Sequence, residues 1–504
     1  MGERIDRVLV VGGGDAGLLT ALSLRKMNPR MDVSVVDDFD REIPAVGKST
    51  FQAIFRIFHD TLGFDEQTFV SEVKPVWKAS VYFDDWCGRT FHYPFDLASH
   101  FPPADTDDAI ANYYLYYDEL THSPDHLSKC EQMVEQGKSP WYFSPSDGGN
   151  RKYENVAYHL NTERFNAYLR DRCREQGISL VDDDVVDVDV TGDRIDRVRS
   201  DDRAYEADLY VDATGFNRVL KEAVGGEFVD FELPLDSALN ARVDRPLSEV
   251  VPATVVDSGE HGWFWQIDTY DNRDLGYVYA SEFADDEEAM AAFLEHCDGA
   301  VSPEEVASYE FSSGYYDPAW TGNCVAIGNA QGFVEPLEST GLTAAAKSAV
   351  TLSNLLSARG GVSDAGVRET YNDWVGRSWR SIYDFIAVHY RYADGDNEFW
   401  RAMRSIPTSA RVERIVEAFD RNGFDTHVDP VANDVEVEDL VYFRPRNFYT
   451  LLRDLGETAE FYESYEFDVG EPIRKTVDRY YENIESDVAS HYSTKELYKG
   501  VLDH

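Results

Sequence analysis

The sequence predicts an α/β protein: a Rossmann-like nucleotide-binding domain assembled from separated segments, a β-rich domain inserted between them, and a mostly helical C-terminal region. Three observations predict it. A strand, a glycine turn and a helix follow one another at the N-terminus; two further strands end on glycine turns, at Gly215 and Gly328; and from Val367 onward apolar and aromatic residues recur at helical spacing.

Arg7 to Val11 is a β-branched run that ends in Gly12-Gly13-Gly14-Asp15-Ala16-Gly17, after which Leu18, Leu19, Ala21 and Leu22 follow at helical spacing. Val33 to Val36 is a second apolar run, closed by Asp37 twenty residues past Gly17. This is a complete βαβ dinucleotide fingerprint. Gly12 makes the tight turn, Gly14 lets the backbone approach a pyrophosphate, Gly17 allows helix and sheet to pack, and Asp37 receives a ribose hydroxyl. A lone G-x-G-x-x-G also occurs in plain turns; here strand, helix and acid all stand around it.

Downstream, Arg164 to Gly177 reads as a helix with Phe165, Tyr168 and Leu169 on one face, and Val186, Val188 and Val190 alternate in the meander that follows. Ala207 to Val211 leads into the small-residue turn Asp212-Ala213-Thr214-Gly215-Phe216. A third strand, Asn323 to Ile327, stops at Gly328-Asn329-Ala330 and precedes Glu335-Pro336-Leu337-Glu338-Ser339-Thr340-Gly341, from which an Ala-rich helix runs to about Leu356. The amphipathic C-terminal helices are rich in Trp, Tyr and Phe.

Composition excludes several function classes. With 504 residues, 43% hydrophobic, the chain is long enough for two or three structural units. Lys+Arg 47 against Asp+Glu 94 gives a net charge of -47, spread along the whole chain. Such a field repels phosphate backbones and anionic headgroups, so neither nucleic acid nor a membrane surface is an expected partner. It is also the surface of a salt-adapted protein, as in a halophile. The five cysteines (Cys87, Cys130, Cys173, Cys297, Cys324) form no CxxC pair, which argues against a disulfide framework and a zinc site; no metal is expected, and a reducing cytoplasm fits. No signal-peptide core or bilayer-length apolar run is seen.

At this point several stretches resemble the flavin-dependent, tryptophan-type halogenases. Pro75-Val76-Trp77-Lys78-Ala79-Ser80-Val81-Tyr82-Phe83 resembles the strand that carries their essential lysine, and Trp263-Phe264-Trp265-Gln266-Ile267 their WxWxIP motif. Glu335 to Gly341 resembles their EPLEST segment and Asp212 to Phe216 their second flavin turn; Asp384-Phe385-Ile386, His389-Tyr390-Arg391 and Phe399-Trp400-Arg401 are similar to their C-terminal helices. The resemblance runs from about residue 6 to about residue 455.

The resemblance implies a hydroxylase-type FAD domain over residues 1–75, 150–235 and 310–365, a substrate domain over 76–149 and 236–309, and a helical region over 366–504. It implies that reduced FAD, delivered by a separate reductase, forms a hydroperoxide with oxygen, that chloride or bromide attacks it, and that hypohalous acid passes to Lys78 beside a small aromatic substrate. Glu338 would then stabilise or deprotonate the cationic arene, with Ser339 in support, while the amides of Thr340 and Gly341 hold the halide at a helix N-terminus. For FAD it points to Gly12, Gly13, Gly14, Asp15, Ala16, Gly17, Asp37, Val186, Gly215, Gly328, Asn329 and Leu342. Trp263 and Trp265 would wall the passage, and His92 and Phe95 the substrate pocket.

Plainer readings stand beside these. Lys78 alone reads as a solvated strand lysine, Ser339 as a helix N-cap, Trp263 and Trp265 as core, and His92 as a structural histidine. The motif's proline is Asp268 here, and the Gly-Glu-Ala-Thr-x-Pro strap reads Gly47-Lys48-Ser49-Thr50-Phe51-Gln52. The C-terminal lid reads Asn447-Phe448-Tyr449, so free tryptophan is not implied. A flavin monooxygenase or geranylgeranyl-reductase-like enzyme of the same fold, or a non-catalytic flavin-binding homologue, are the alternatives.

Overall fold

A computed structural model describes residues 2–41, 47–96, 128–422, 442–457 and 471–502. The chain divides into two compact units: Met1–Pro75, Leu160–Leu233 and Glu310–Arg380 form one, and Val76–His159, Pro234–Tyr309 and Ser381–His504 the other. The residues from Ser381 onward thus cluster with the second unit.

The first unit is built on a six-stranded sheet in the order Ser179–Asp182, Asp32–Asp37, Arg7–Val11, Leu209–Asp212, Cys324–Ala326, Trp320–Thr321. The first five strands run parallel and the last is antiparallel. Leu209–Asp212 and Cys324–Ala326 are buried along their whole length, as the unbroken apolar runs of a sheet covered on both faces require. The order of winding reverses between Arg7–Val11 and Leu209–Asp212. In such sheets the crevice beyond the carboxyl ends at this reversal is where ligands bind.

Three helices pack on this frame. Asp15–Met27 carries an acid in its first turn and Arg25 and Lys26 in its last, matching the helix dipole at both ends. It packs against Gly341–Ala358, whose Ala344, Ala345, Ala346 and Ala349 are buried and permit close approach, and against Thr162–Glu175. The last begins two residues before the expected start because the Asn161 side chain caps it, accepting from the Arg164 amide at 3.0 Å. The meander Asp187–Thr191, Arg194–Arg199, Ala204–Tyr205 is a separate antiparallel sheet.

The second unit centres on a seven-stranded sheet, in the order Ala307–Glu310, Ser237–Asp244, Asn272–Tyr279, Gly262–Asp268, Ala253–Ser258, Ser80–Trp86, Arg89–Pro94. Its strands from Ser237 on pair antiparallel except where Ala253–Ser258 meets Ser80–Trp86 in parallel. The helix Asp286–His296, opened by an Asp285/Glu288 capping box, buries Ala289 and Phe293 against Leu239, Phe264, Tyr277 and Tyr279. The C-terminal helices include Ala365–Arg391, Glu398–Arg404, Ala410–Asn422, Pro445–Asp454 and Glu471–Ala489. The tail is not helix alone: His491–Ser493 pairs with Lys138–Ser144 in a small sheet. That pairing joins residues more than three hundred positions apart, so no local pattern announces it.

Candidate active site

The first unit brings the three glycine turns together at the carboxyl ends of its strands. Gly12 has φ +109°, and a Cβ there would meet the Ala213 carbonyl oxygen at 2.3 Å. At Gly17 a Cβ would fall 1.9 Å from the Gly12 oxygen, so both positions are closed to any side chain. Gly14 has nothing within 4 Å of its Cβ position: its backbone faces open space. The Gly13 amide donates to the Asp37 carboxylate at 2.7 Å and the Asp38 amide to its other oxygen at 3.0 Å. Burial pushes the Asp37 carboxyl above its ordinary range, with the Gly13 amide opposing. The glycine backbone, open crevice and acid fit the adenosine and diphosphate end of a dinucleotide.

The second turn is held by a residue that the sequence reading left without a role. Asp212 is fully buried, and its carboxylate accepts from the Thr214 amide (3.0 Å) and hydroxyl (2.7 Å), and from the Leu220 (2.8 Å) and Lys221 (2.7 Å) amides. Those four bonds set Gly215 at φ +65°. In the third turn Gly328 has φ +66°, and a Cβ there would lie 2.8 Å from that of Ala16. Asn329, next in sequence, and Leu342, in the first turn of the Gly341–Ala358 helix, are half-buried, while Gln331 is a buried hub that bonds Ala326, Tyr371, Ser348 and Trp379. Val186 lies at the head of the meander, largely exposed, with its amide already given to the Arg199 carbonyl.

The strap reaches the first turn through charge. Lys48 Nζ stands 3.3 Å from Asp15 Oδ2, and the Phe51 amide donates to Thr343 Oγ1 at 3.3 Å. Across the Glu335 to Thr340 segment, both glutamates are buried, Glu338 completely. The Leu337 amide donates to the Glu335 carboxylate at 3.2 Å. Ser339 adopts φ +55°, a left-handed conformation costly for a side-chain-bearing residue and characteristic of functional turns. It is not the helix cap: that position belongs to Thr340, which makes no side-chain cap bond. Gly341 opens the helix with free space at its Cβ position, and the first amides of a helix have no partner within it.

Lys78 lies in the second unit, opposite Ala157 in the Val76–Lys78 strand, and exposes no surface. This removes the solvated-lysine reading. Its ammonium is 5.3 Å from the ring centre of Phe95, itself buried. Near it His159, which the sequence reading did not single out, places Nδ1 3.0 Å from the Asp268 carbonyl and Nε2 2.9 Å from the Thr254 hydroxyl. A carbonyl can only accept, so Nδ1 carries the proton and Nε2 takes the hydroxyl's. Burial, then the Lys78 ammonium, push this imidazole down to about 3, so it stays neutral. A histidine inside the apolar run Val156 to Leu160 was the available signal.

Trp263 and Trp265 lie on one side of their strand, both buried, ring centres 5.9 Å apart. Trp265 lies across Gly276, where a Cβ would meet its ring at 2.0 Å, and its Nε1 has no partner among the described residues. His92 is bonded at both ring nitrogens, to Ser80 (3.2 Å) and Glu135 (3.1 Å), and stacks on Tyr82. Asp268, in place of the motif's proline, is buried, accepts from Arg273 (2.7 and 3.0 Å) and the Val251 amide (2.8 Å), and has Arg245 at 3.5 Å. The lid residues Phe448 and Tyr449 are buried against Phe385 and Phe419. Among the described residues no cluster of His, Cys, Asp and Glu could hold a metal, all five cysteines are free thiols, and no helix is long and apolar enough to cross a membrane.

The pattern described as tryptophan halogenase matches residues 7–465. The chain belongs to the tryptophan halogenase family. It is 30% identical over 431 residues to the 7-chloro-L-tryptophan 6-halogenase KtzR of Kutzneria sp. (strain 744), covering 79% of this chain and 82% of that one. Among solved structures, MibH, a tryptophan 5-halogenase, superposes with TM-score 0.85 at 26% identity, over 99% of this chain and 94% of its own. BrvH, a flavin-dependent halogenase from Brevundimonas sp. BAL3, superposes at 0.83 with 25% identity, over 99% of each. This family member is therefore an enzyme, a flavin-dependent halogenase.

Proposed function

We propose that this halogenase uses FADH2 from a separate reductase, oxygen, and chloride or bromide to halogenate a small arene of indole, phenol or pyrrole type. The unit containing Gly12 to Gly17 holds the cofactor, and the unit containing Lys78 takes the arene. Reduced FAD, with oxygen and halide, supplies hypohalous acid. The chain's own residues do the rest. Gly12 to Gly17 and Asp37 hold the adenosine end, the turns at Gly215 and Gly328 complete the cofactor groove with Asn329 and Leu342, and the Thr340 and Gly341 amides hold the halide.

The observation that carries the reading is the complete burial of Lys78 beside Phe95 and a neutral His159. A dry, fixed amine either donates a hydrogen bond to hypohalous acid or, as the free amine, takes its halogen to give an N-haloamine and water. Electrophile is then confined beside the arene, and the buried Trp263 and Trp265 of the same unit exclude water. Glu338, a buried carboxylate followed by the strained Ser339, is the group assigned to accept the proton released on substitution.

The test is to incubate purified protein with FAD, a flavin reductase, NADH, bromide and a panel of arenes, and to look for bromine isotope doublets by mass spectrometry. A brominated arene is expected. Oxygenated products instead would make the protein a flavin monooxygenase, and flavin binding without any product would make it a non-catalytic homologue.

A further inference from the structure

The turn that should receive a diphosphate carries an acid. Asp15 is the first residue of the Asp15–Met27 helix, next to Gly14, whose backbone faces open space. Its side chain is 5% exposed; Oδ1 accepts from Asn166 Nδ2 at 3.2 Å, and Oδ2 lies 3.3 Å from Lys48 Nζ. The same Asn166 Nδ2 donates to the Gly13 carbonyl at 3.2 Å, so the carboxylate is fixed against the turn. A helix N-terminus attracts anions, and here a carboxylate already occupies part of that field. Uncompensated, it would repel an incoming diphosphate across a low-dielectric crevice.

The compensation comes from the strap. Lys48 stands where the family pattern has an acid, and its side chain remains 35% exposed while its ammonium pairs with Asp15. We propose that Lys48 is the counter-charge of the nucleotide turn: it neutralises Asp15 and presents a cation to the FAD diphosphate, making the strap part of the cofactor site. This rests on the flavin reading above. The local charge sum of the pair is zero with Lys48 present and negative without it, so the strap residue decides whether the helix N-terminus accepts an anion.

The experiment is the dissociation constant for oxidised FAD, followed by flavin fluorescence in the full-length protein, with riboflavin, which lacks the diphosphate, as a second probe. Lys48→Gln is expected to weaken FAD binding about tenfold and Lys48→Glu further, with riboflavin unchanged within about twofold; tenfold corresponds to ~1.4 kcal/mol. Lys48→Arg should stay within about threefold of wild type, and the Asp15→Asn/Lys48→Gln pair should recover most of the loss. Should Lys48→Gln fold poorly, Asp15→Asn alone still decides: it should bind FAD at least as tightly as wild type, and weaker binding overturns the proposal. FAD affinity unchanged in Lys48→Gln, an equal loss for riboflavin, or no recovery in the double variant also overturns it, leaving the flavin reading intact. Wild-type protein that holds no FAD overturns both.

Discussion

Replacing Asp212 should damage the second cofactor turn more than any surface change of equal size. Its buried carboxylate accepts four hydrogen bonds, two from Thr214 and one each from the Leu220 and Lys221 amides. A hydrogen bond to a charged acceptor contributes ~1.5–3 kcal/mol, so four independent bonds would set an upper bound of ~6–12 kcal/mol. They share one group, and water can enter the vacated space, so the expected cost of Asp212→Ala is about 4 kcal/mol. Asp212→Asn keeps an oxygen for Thr214 but turns an amino group toward the Leu220 and Lys221 amides, and should lose about half as much. Urea titration of the flavin-free protein followed by tryptophan fluorescence measures both, and FAD affinity should fall in the same order because Gly215 loses its support. Asp212→Ala within ~1 kcal/mol of wild type would refute the reasoning, since buried donors left without an acceptor cannot cost so little.

Lys78→Ala should abolish bromination while FAD binding and oxygen consumption persist; a folded, flavin-loaded variant that still halogenates near the wild-type rate sinks the role assigned to Lys78. Glu338→Gln should act later and more mildly, lowering the halogenation rate roughly 10–100-fold with cofactor affinity kept, and an unchanged rate would count against it. In the second unit, burial, then the Asp84 carboxylate, raise the Asp257 carboxyl to about 6, against an opposing hydrogen bond from the Asp85 backbone, and His296 Nε2 lies at 3.7 Å. A carboxyl whose folded pKa exceeds its unfolded value of 3.8 favours the folded state only while protonated, so this stabilisation is lost as pH rises from about 4 to about 6. Asp257→Asn should therefore raise the melting temperature at pH 7.5 more than at pH 4.5; an equal shift at both would rule the linkage out.

The dinucleotide fingerprint was legible because it is local. The turn at Gly12 to Gly17, the helix after it and the acid at Asp37 fall within one βαβ unit, where backbone sterics and side-chain periodicity dictate the residue types. The Gly215 and Gly328 turns were legible as separate punctuation for the same reason, and so were the amphipathic helices of the C-terminal region. That these turns meet was not: Gly328 needs its hydrogen because Ala16 stands against it, a contact between positions over three hundred residues apart.

Charge and burial were decided only in three dimensions. One letter cannot say whether a lysine is solvated; the pairing of Lys78 with Ala157 and the Phe95 ring over its ammonium remove it from water. Lys48 and Asp268 read in sequence as departures from a pattern, and each turns out to have a partner, Asp15 for one and Arg273 with Arg245 for the other. The role of His159 depends on Asp268 and Thr254, distant partners that the fold brings within about 3 Å, and the turn motif that contains Asp212 did not say that its carboxylate would be buried and accept four hydrogen bonds. Sequence determined where the backbone must turn, since φ/ψ sterics act between neighbours. Tertiary structure decided which polar groups are dry and paired, since desolvation and Coulomb energy depend on every atom nearby, whatever its position in the chain.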